Sequence, residues 1–201
     1  MTMTSKQKNW IIIGVIALGI LYMFSSVKSS YNNMAMADEQ ISASWGQVEN
    51  VYQRRADLIP NLVSTVKGYA SHEKETLEGV IEARSKATST TIDASKLDAN
   101  SIQQFQQAQD GLSSALSKLM VVVERYPDLK ANQNFLELQA QLEGTENRIA
   151  VERRNFNEAV KGYNAYIRLF PKNIYASIFG FEKKDYFTAI AGAEKAPEVN
   201  F

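Results

Sequence analysis

The residues able to do chemistry are few, and their spacing does not favour it. There is one histidine, His72, and no cysteine. A di-iron bundle needs a glutamate three residues before each ligating histidine. Here that position is Tyr69. One histidine without cysteine is also a poor start for a structural zinc site, so His72 reads as a solvated helix-end residue. The lack of cysteine removes disulfides, thiolate ligands, cysteine nucleophiles and lipid-modified cysteine. Glu143, Glu146 and Glu152 could in principle pair for acid–base work. On one long helix they read instead as a solvated face or as ion-pair partners. Neither a glycine-rich phosphate loop nor a nucleophile elbow is present. The expectation is no catalytic residue, no metal ligand, no cofactor and no small-molecule substrate.

Arg55 is the unusual residue. It falls on the apolar phase of its segment, between Tyr52 and Ile59. A charge facing a seam needs a partner, because burying it alone is very costly. Downstream, an apolar stripe is interrupted at Thr145 and again at Glu152 and Arg153. One reading is a polar layer through mid-bundle built from Arg55, Glu146, Glu152 and Arg153, with Arg55 near Glu146 or Glu152. The other places Arg55 at the seam's edge, its head reaching water.

The elements that must position these residues are helices. Ile41, Trp45, Val48, Tyr52, Ile59, Leu62, Val66 and Tyr69 recur at steps of three and four, a heptad stripe with one gap at Arg55. Pro60 lies inside this helix and predicts a kink near Ala56–Pro60. Helical spacing returns over 73–87, either as a continuation or as a separate short helix. A polar loop, Thr88–Asn100, follows. Ser101 with Gln104 fits a capping box and opens a second helix, with Ile102, Phe105, Leu112, Leu116, Leu119, Val123 and Tyr126 as its stripe. Pro127 and Asp128 stop it. Asn132 or Asn134 caps a third helix that Pro171 ends. Three stripes joined by short connections predict an all-α fold, an antiparallel bundle of three long helices plus a short C-terminal helix.

Before the bundle, Trp10 to Val27 is free of charge for eighteen residues. As a helix this spans about 27 Å, near the thickness of a bilayer core. Lys6 and Lys8 precede it and Lys28 follows. The run is long for a cleaved signal peptide and no clear cleavage site follows it. A retained single-pass anchor over 10–28 in the cytoplasmic (inner) membrane is expected, with the lipid bilayer as its partner. Between anchor and bundle the chain runs on directly or across a short hinge at Ser29–Asn33. Two lysines before the span against one after favour the domain on the extracytoplasmic, periplasmic side.

The expected organisation is a polar N-terminus over 1–9, the anchor over 10–28, a helical bundle over 29–190 and a flexible tail over 191–201. Near the C-terminus, Phe179, Phe181, Tyr186 and Phe187 crowd around Gly180. They either cap the bundle end or form an exposed aromatic patch for a partner or a lipid surface. Apolar residues off the main stripes, Val51, Met120 and Val121 among them, form either a second face of the core or a contact between protomers. Lysine plus arginine equals aspartate plus glutamate, 22 each, which gives no support for nucleic-acid binding.

Long runs carry a resemblance. QISASWGQVENVYQRRADLIPNLVSTVKGYASHE, ERYPDLKANQNF, LEGTENRIAVERRNFNEAV, YNAYIRLFP and FGF together look like the LemA family of bacterial membrane-anchored helical proteins. The resemblance covers most of Tyr31 to Phe187. It implies long antiparallel helices and no established enzymatic activity, with no family catalytic residues to carry over. A magnetosome branch of the family implies membrane organisation. The family's orientation is often drawn with the domain in the cytoplasm, opposite to the lysine count. Two function classes follow: a non-enzymatic membrane scaffold or protein-interaction module that is a homo-oligomer or binds a membrane protein, and an accessory subunit of an envelope enzyme or protease complex.

Overall fold

The computed structural model describes residues 5–93 and 97–188. The tail over 191–201 lies outside the described residues. Six helices follow one another: α1 (Ser5–Tyr69), α2 (Lys74–Ser89), α3 (Ala99–Val123), α4 (Pro127–Lys130), α5 (Gln133–Arg168) and α6 (Lys172–Phe179). α1 is helical without a break through Ser29–Asn33, so no hinge interrupts it. Contacts divide the chain into two units. One holds α1 up to Gln40 with Lys161–Lys183; the other holds Ile41–Val160 and the chain from Lys184.

In the second unit the heptad stripe of α1 is buried from Ile41 to Val66. Ile59, Leu62 and Val66 share a core with Leu77 and Val80 of α2, Leu112 and Leu119 of α3, and Phe135 and Leu142 of α5. Each large side chain so buried contributes roughly 1.5–3 kcal/mol. The cross-helix pairs fix the directions. Trp45 meets Phe105 and Arg55 meets Ser113, so α3 runs with α1. Trp45 meets Phe156 and Tyr69 meets Asn132, so α5 runs against it. α2 is a separate helix, which the spacing over 73–87 left undecided. It turns back after Ala70, and its Arg84 reaches the Ala56 carbonyl. The order is therefore up–down–up–down, with α2 between the first two long helices.

Local chemistry explains the ends. Pro60 has no N–H to give to the carbonyl four residues earlier, Ala56. Arg84 Nε supplies that donor from α2 at 2.7 Å. α3 begins earlier than the capping box over Ser101–Gln104 places it. Asp98 is the cap and accepts from the Ser101 backbone N–H at 2.7 Å. That bond holds its carboxyl below the ordinary range. Asn132 Oδ1 accepts from the Phe135 N–H and caps α5. Glu73, in the turn between α1 and α2, accepts from the Tyr126 hydroxyl and from Arg125. Its carboxylate pushes the Tyr126 pKa up.

In the first unit, Ser30 and Met34 of α1 are buried, as are Tyr163, Asn164 and Ile167 of α5. Asn33 Nδ2 donates to the Tyr166 hydroxyl at 3.1 Å. α6 ends at Gly180, whose φ of 75° is the left-handed conformation that favours glycine. The next N–H, of Phe181, returns to the Ala176 carbonyl at 2.9 Å. From Trp10 to Phe24 the large apolar side chains of α1 are exposed all round the helix. This segment is long and apolar enough to cross a membrane.

Candidate functional site

Two places gather the residues that composition and spacing single out. In the second unit, Arg55 is 1% exposed. A guanidinium there has to place its donors, and the helices around it supply acceptors. Nη1 donates to Glu146 at 2.6 Å and to the Ser113 hydroxyl at 2.9 Å. Nη2 donates to the Gln109 side-chain oxygen at 2.7 Å and to the Gln109 carbonyl at 3.2 Å. Nε has no hydrogen-bond partner among the described residues. The guanidinium also lies 5.1 Å from the centre of the Tyr52 ring. Gln109 passes the network on, its Nε2 donating to the Ala87 carbonyl in the last turn of α2. α3 and α5 thus converge on one charge, and α2 is tied to it through Gln109.

The arrangement is a charge holder. The Glu146 side chain is 48% exposed while that of Arg55 is 2% exposed. The pair therefore has one dry end and one wet end, and the wet end opens on a groove lined by Met120, Gln139 and Asn147. No group of three metal-ligating side chains comes together among the described residues. His72 is exposed in the turn between α1 and α2.

Glu152 does not join this layer; its carboxylate accepts from Asn155. It lies nearly two turns beyond Glu146 on α5, out of reach of Arg55. Arg153 turns instead to the chain beyond α6, donating to the Thr188 carbonyl at 3.2 Å and lying 4.8 Å from the Phe187 ring centre. Tyr52 stands between the two arginines. Burial pushes its hydroxyl above the ordinary range, and the charges of Arg153 and Arg55 pull it part of the way back. Gln109 and Ser113 were not singled out by sequence reasoning. The available signal was two polar residues, four apart, on the face of α3 toward a stripe arginine.

Next to the layer lies an aromatic cluster. Trp45 packs edge-on against Phe105 and Phe156 and stacks on Phe187 at 5.7 Å. Phe187 is not part of an exposed patch. It is 5% exposed because Asn157 holds its backbone from both sides, donating to its carbonyl and accepting from its N–H. Tyr186 beside it is at the surface. Of the apolar residues off the stripes, Val51 is half-buried and Met120 packs against the core. Val121 is 71% exposed.

The second place is the α6 end of the first unit. Tyr31 of α1 meets Phe179 and Phe181 edge-on at 5.1 and 5.6 Å. Tyr31 and Phe179 remain partly exposed. Lys172 lies 3.8 Å from the Tyr166 ring centre. Tyr163 donates to the Glu182 carbonyl at 2.9 Å. Burial, then the carboxylates of Asp38 and Glu182, push its hydroxyl up to about 12.

The chain is similar to several known proteins. It is 27% identical over 187 residues to Magnetosome protein MamQ 2 of Paramagnetospirillum magneticum, covering 85% of this chain and 69% of that protein. Magnetosome protein MamQ of Magnetospirillum gryphiswaldense is 26% identical over 194 residues, 88% of this chain and 71% of that one. Protein LemA of Metamycoplasma hominis is 26% identical over 168 residues, 83% of this chain and 72% of that one. The model of the LemA family matches residues 44–201, from the buried α1 stripe through α6 and beyond, and the chain belongs to the LemA family.

Proposed function

We propose that this protein is a membrane-anchored helical scaffold, a non-enzymatic protein-interaction module of the bacterial envelope. The observation that carries the proposal is the exposed apolar stretch of α1. Side chains from Trp10 to Phe24 point outward on every face of the helix and are covered by nothing among the described residues. Such a surface is stable only in lipid or against other apolar chains. The same helix then supplies the central seam of the bundle. The Arg55 layer has a structural role in this reading, since its donors are spent on protein acceptors. Two relatives are named for the magnetosome and one is not, so the proposed role is general to envelopes and not tied to that organelle. The proposal places the domain on the extracytoplasmic side, following the lysine count.

Residues 10–28 are expected to hold the protein in membranes through an alkaline carbonate wash. Recovery of a soluble form beginning near Ser29 overturns the anchor. Crosslinking in membranes followed by pull-down tests the scaffold: it returns mainly further copies of this chain. A single stoichiometric partner instead supports an accessory subunit of an envelope enzyme or protease complex.

A further inference from the structure

The apolar segment of α1 is not the chain's only surface suited to lipid. A hydrocarbon core of about 30 Å takes about 20 helical residues. Counted from Trp10, the core ends near Ser29, with Lys28 at the headgroups. Tyr31 follows directly, and it touches Phe179 and Phe181. Asn33 bonds to Tyr166 on α5, which runs against α1. Two residues past Tyr166 α5 ends at Arg168, and Phe170 lies in the turn that follows. Phe170 is 80% exposed.

The faces of α6 agree. Ala176 is buried against the rest of the unit. Ile174 and Ile178, one turn apart, are both exposed, Ile178 by 70%. Asn173 and Ser177 are also exposed and sit on a separate polar face. Leu169 and Phe170 extend the apolar face into the corner before α6. A water-soluble corner has no reason to expose four large apolar side chains within ten residues. Charge points the same way. Over Lys161–Lys183 there are four cations, Lys161, Arg168, Lys172 and Lys183, against one carboxylate, Glu182.

We propose that Leu169, Phe170, Ile174 and Ile178 insert into the headgroup–acyl boundary of the leaflet from which α1 emerges. α6 then lies in the membrane surface as a second contact, and Arg168 with Lys28 faces lipid phosphate. The occupant of this surface is phospholipid. The inference rests on the reading of α1 as an anchor, and its test separates the two.

The chain has no cysteine, so single cysteines can carry a nitroxide label in the full-length protein. The protein is reconstituted into vesicles of phosphatidylethanolamine and phosphatidylglycerol. Accessibility to oxygen, which prefers lipid, is compared with that to a water-soluble nickel chelate. Labels at Ile174→Cys and Ile178→Cys are expected to favour oxygen, and labels at Asn173→Cys and Ser177→Cys the chelate. Val15→Cys reports on the anchor. If it favours oxygen while all four α6 labels favour the chelate, the anchor stands and this proposal falls. Protection of Ile174→Cys and Ile178→Cys from both reagents means a protein contact and overturns the proposal as well. A Val15→Cys label that favours the chelate overturns both readings.

Discussion

Two aromatic clusters in this chain share residue types and differ in closure. Around Trp45, four rings are buried: Trp45, Phe105, Phe156 and Phe187. Around Tyr31, the ring pairs are equally close, yet Tyr31 and Phe179 are more than 40% exposed. Closure at Trp45 depends on an irregular segment. Phe187 has no regular secondary structure, but Asn157 satisfies both of its main-chain groups, so an irregular segment can be buried without orphaned donors or acceptors. Phe179 is the last residue of α6, which Gly180 caps in the left-handed conformation. Aromatic composition therefore does not say whether a cluster is core or surface; what packs over the rings does.

The largest effect is expected where closure is complete. Trp45→Ala should destabilise the full-length protein in detergent by about 3–5 kcal/mol, read from urea unfolding followed by circular dichroism. A shift below about 1 kcal/mol means the cluster can collapse around the gap. Arg55→Ala comes next, at about 1–4 kcal/mol, because it leaves Gln109 and Glu146 without their donor. Arg55→Met should cost less than Glu146→Ala, which strands the buried charge. An unfolding midpoint for Arg55→Ala equal to wild type refutes the layer's structural role.

Tyr163 gives the open end its own test. Its hydroxyl is raised in the fold to about 12 from an ordinary value near 10. Stability from this group is whole below pH about 10 and is lost as pH climbs toward 12, because the unfolded chain ionises first. Tyr163→Phe should flatten the alkaline fall in that window. An unchanged alkaline profile assigns the fall to other groups. The smallest effect belongs to the open surface. Phe170→Ser should change unfolding in detergent by less than about 0.5 kcal/mol, and a loss comparable to that of Trp45→Ala would show that Phe170 packs inside after all.

Much of the fold was legible because heptad spacing is a direct record of burial. The stripes of α1 and α3 could be read almost residue by residue; Tyr69, which the spacing puts at the end of the first, is 44% exposed. The separate identity of α2 could not, since Gly68 and Ser71 alone do not decide between a bend and a turn. Asp98 was passed over for Ser101 because both lie before the same apolar run; only the backbone shows that Ser101 donates and Asp98 accepts. At Arg55, its place on the core phase is written in the sequence. Gln109 and Ser113 are not, because matching a residue to an acceptor on another helix needs the offset between helices. Arg84 could have been anticipated: a proline inside a helix always leaves one carbonyl without its donor, here Ala56.

Seams made only of leucine, isoleucine and valine are tolerant of sliding. Moving one helix by a turn, about 5.4 Å, exchanges each contact for a similar one. Arg55 breaks that degeneracy. Its four terminal N–H groups meet acceptors on α3 and α5 at a single axial position. A one-turn slip of α1 takes the guanidinium off Gln109, Ser113 and Glu146 together. The arginine thus acts as a registration pin, setting which turn of each helix faces which. A chain lacking it is expected to keep its helices while losing their unique alignment.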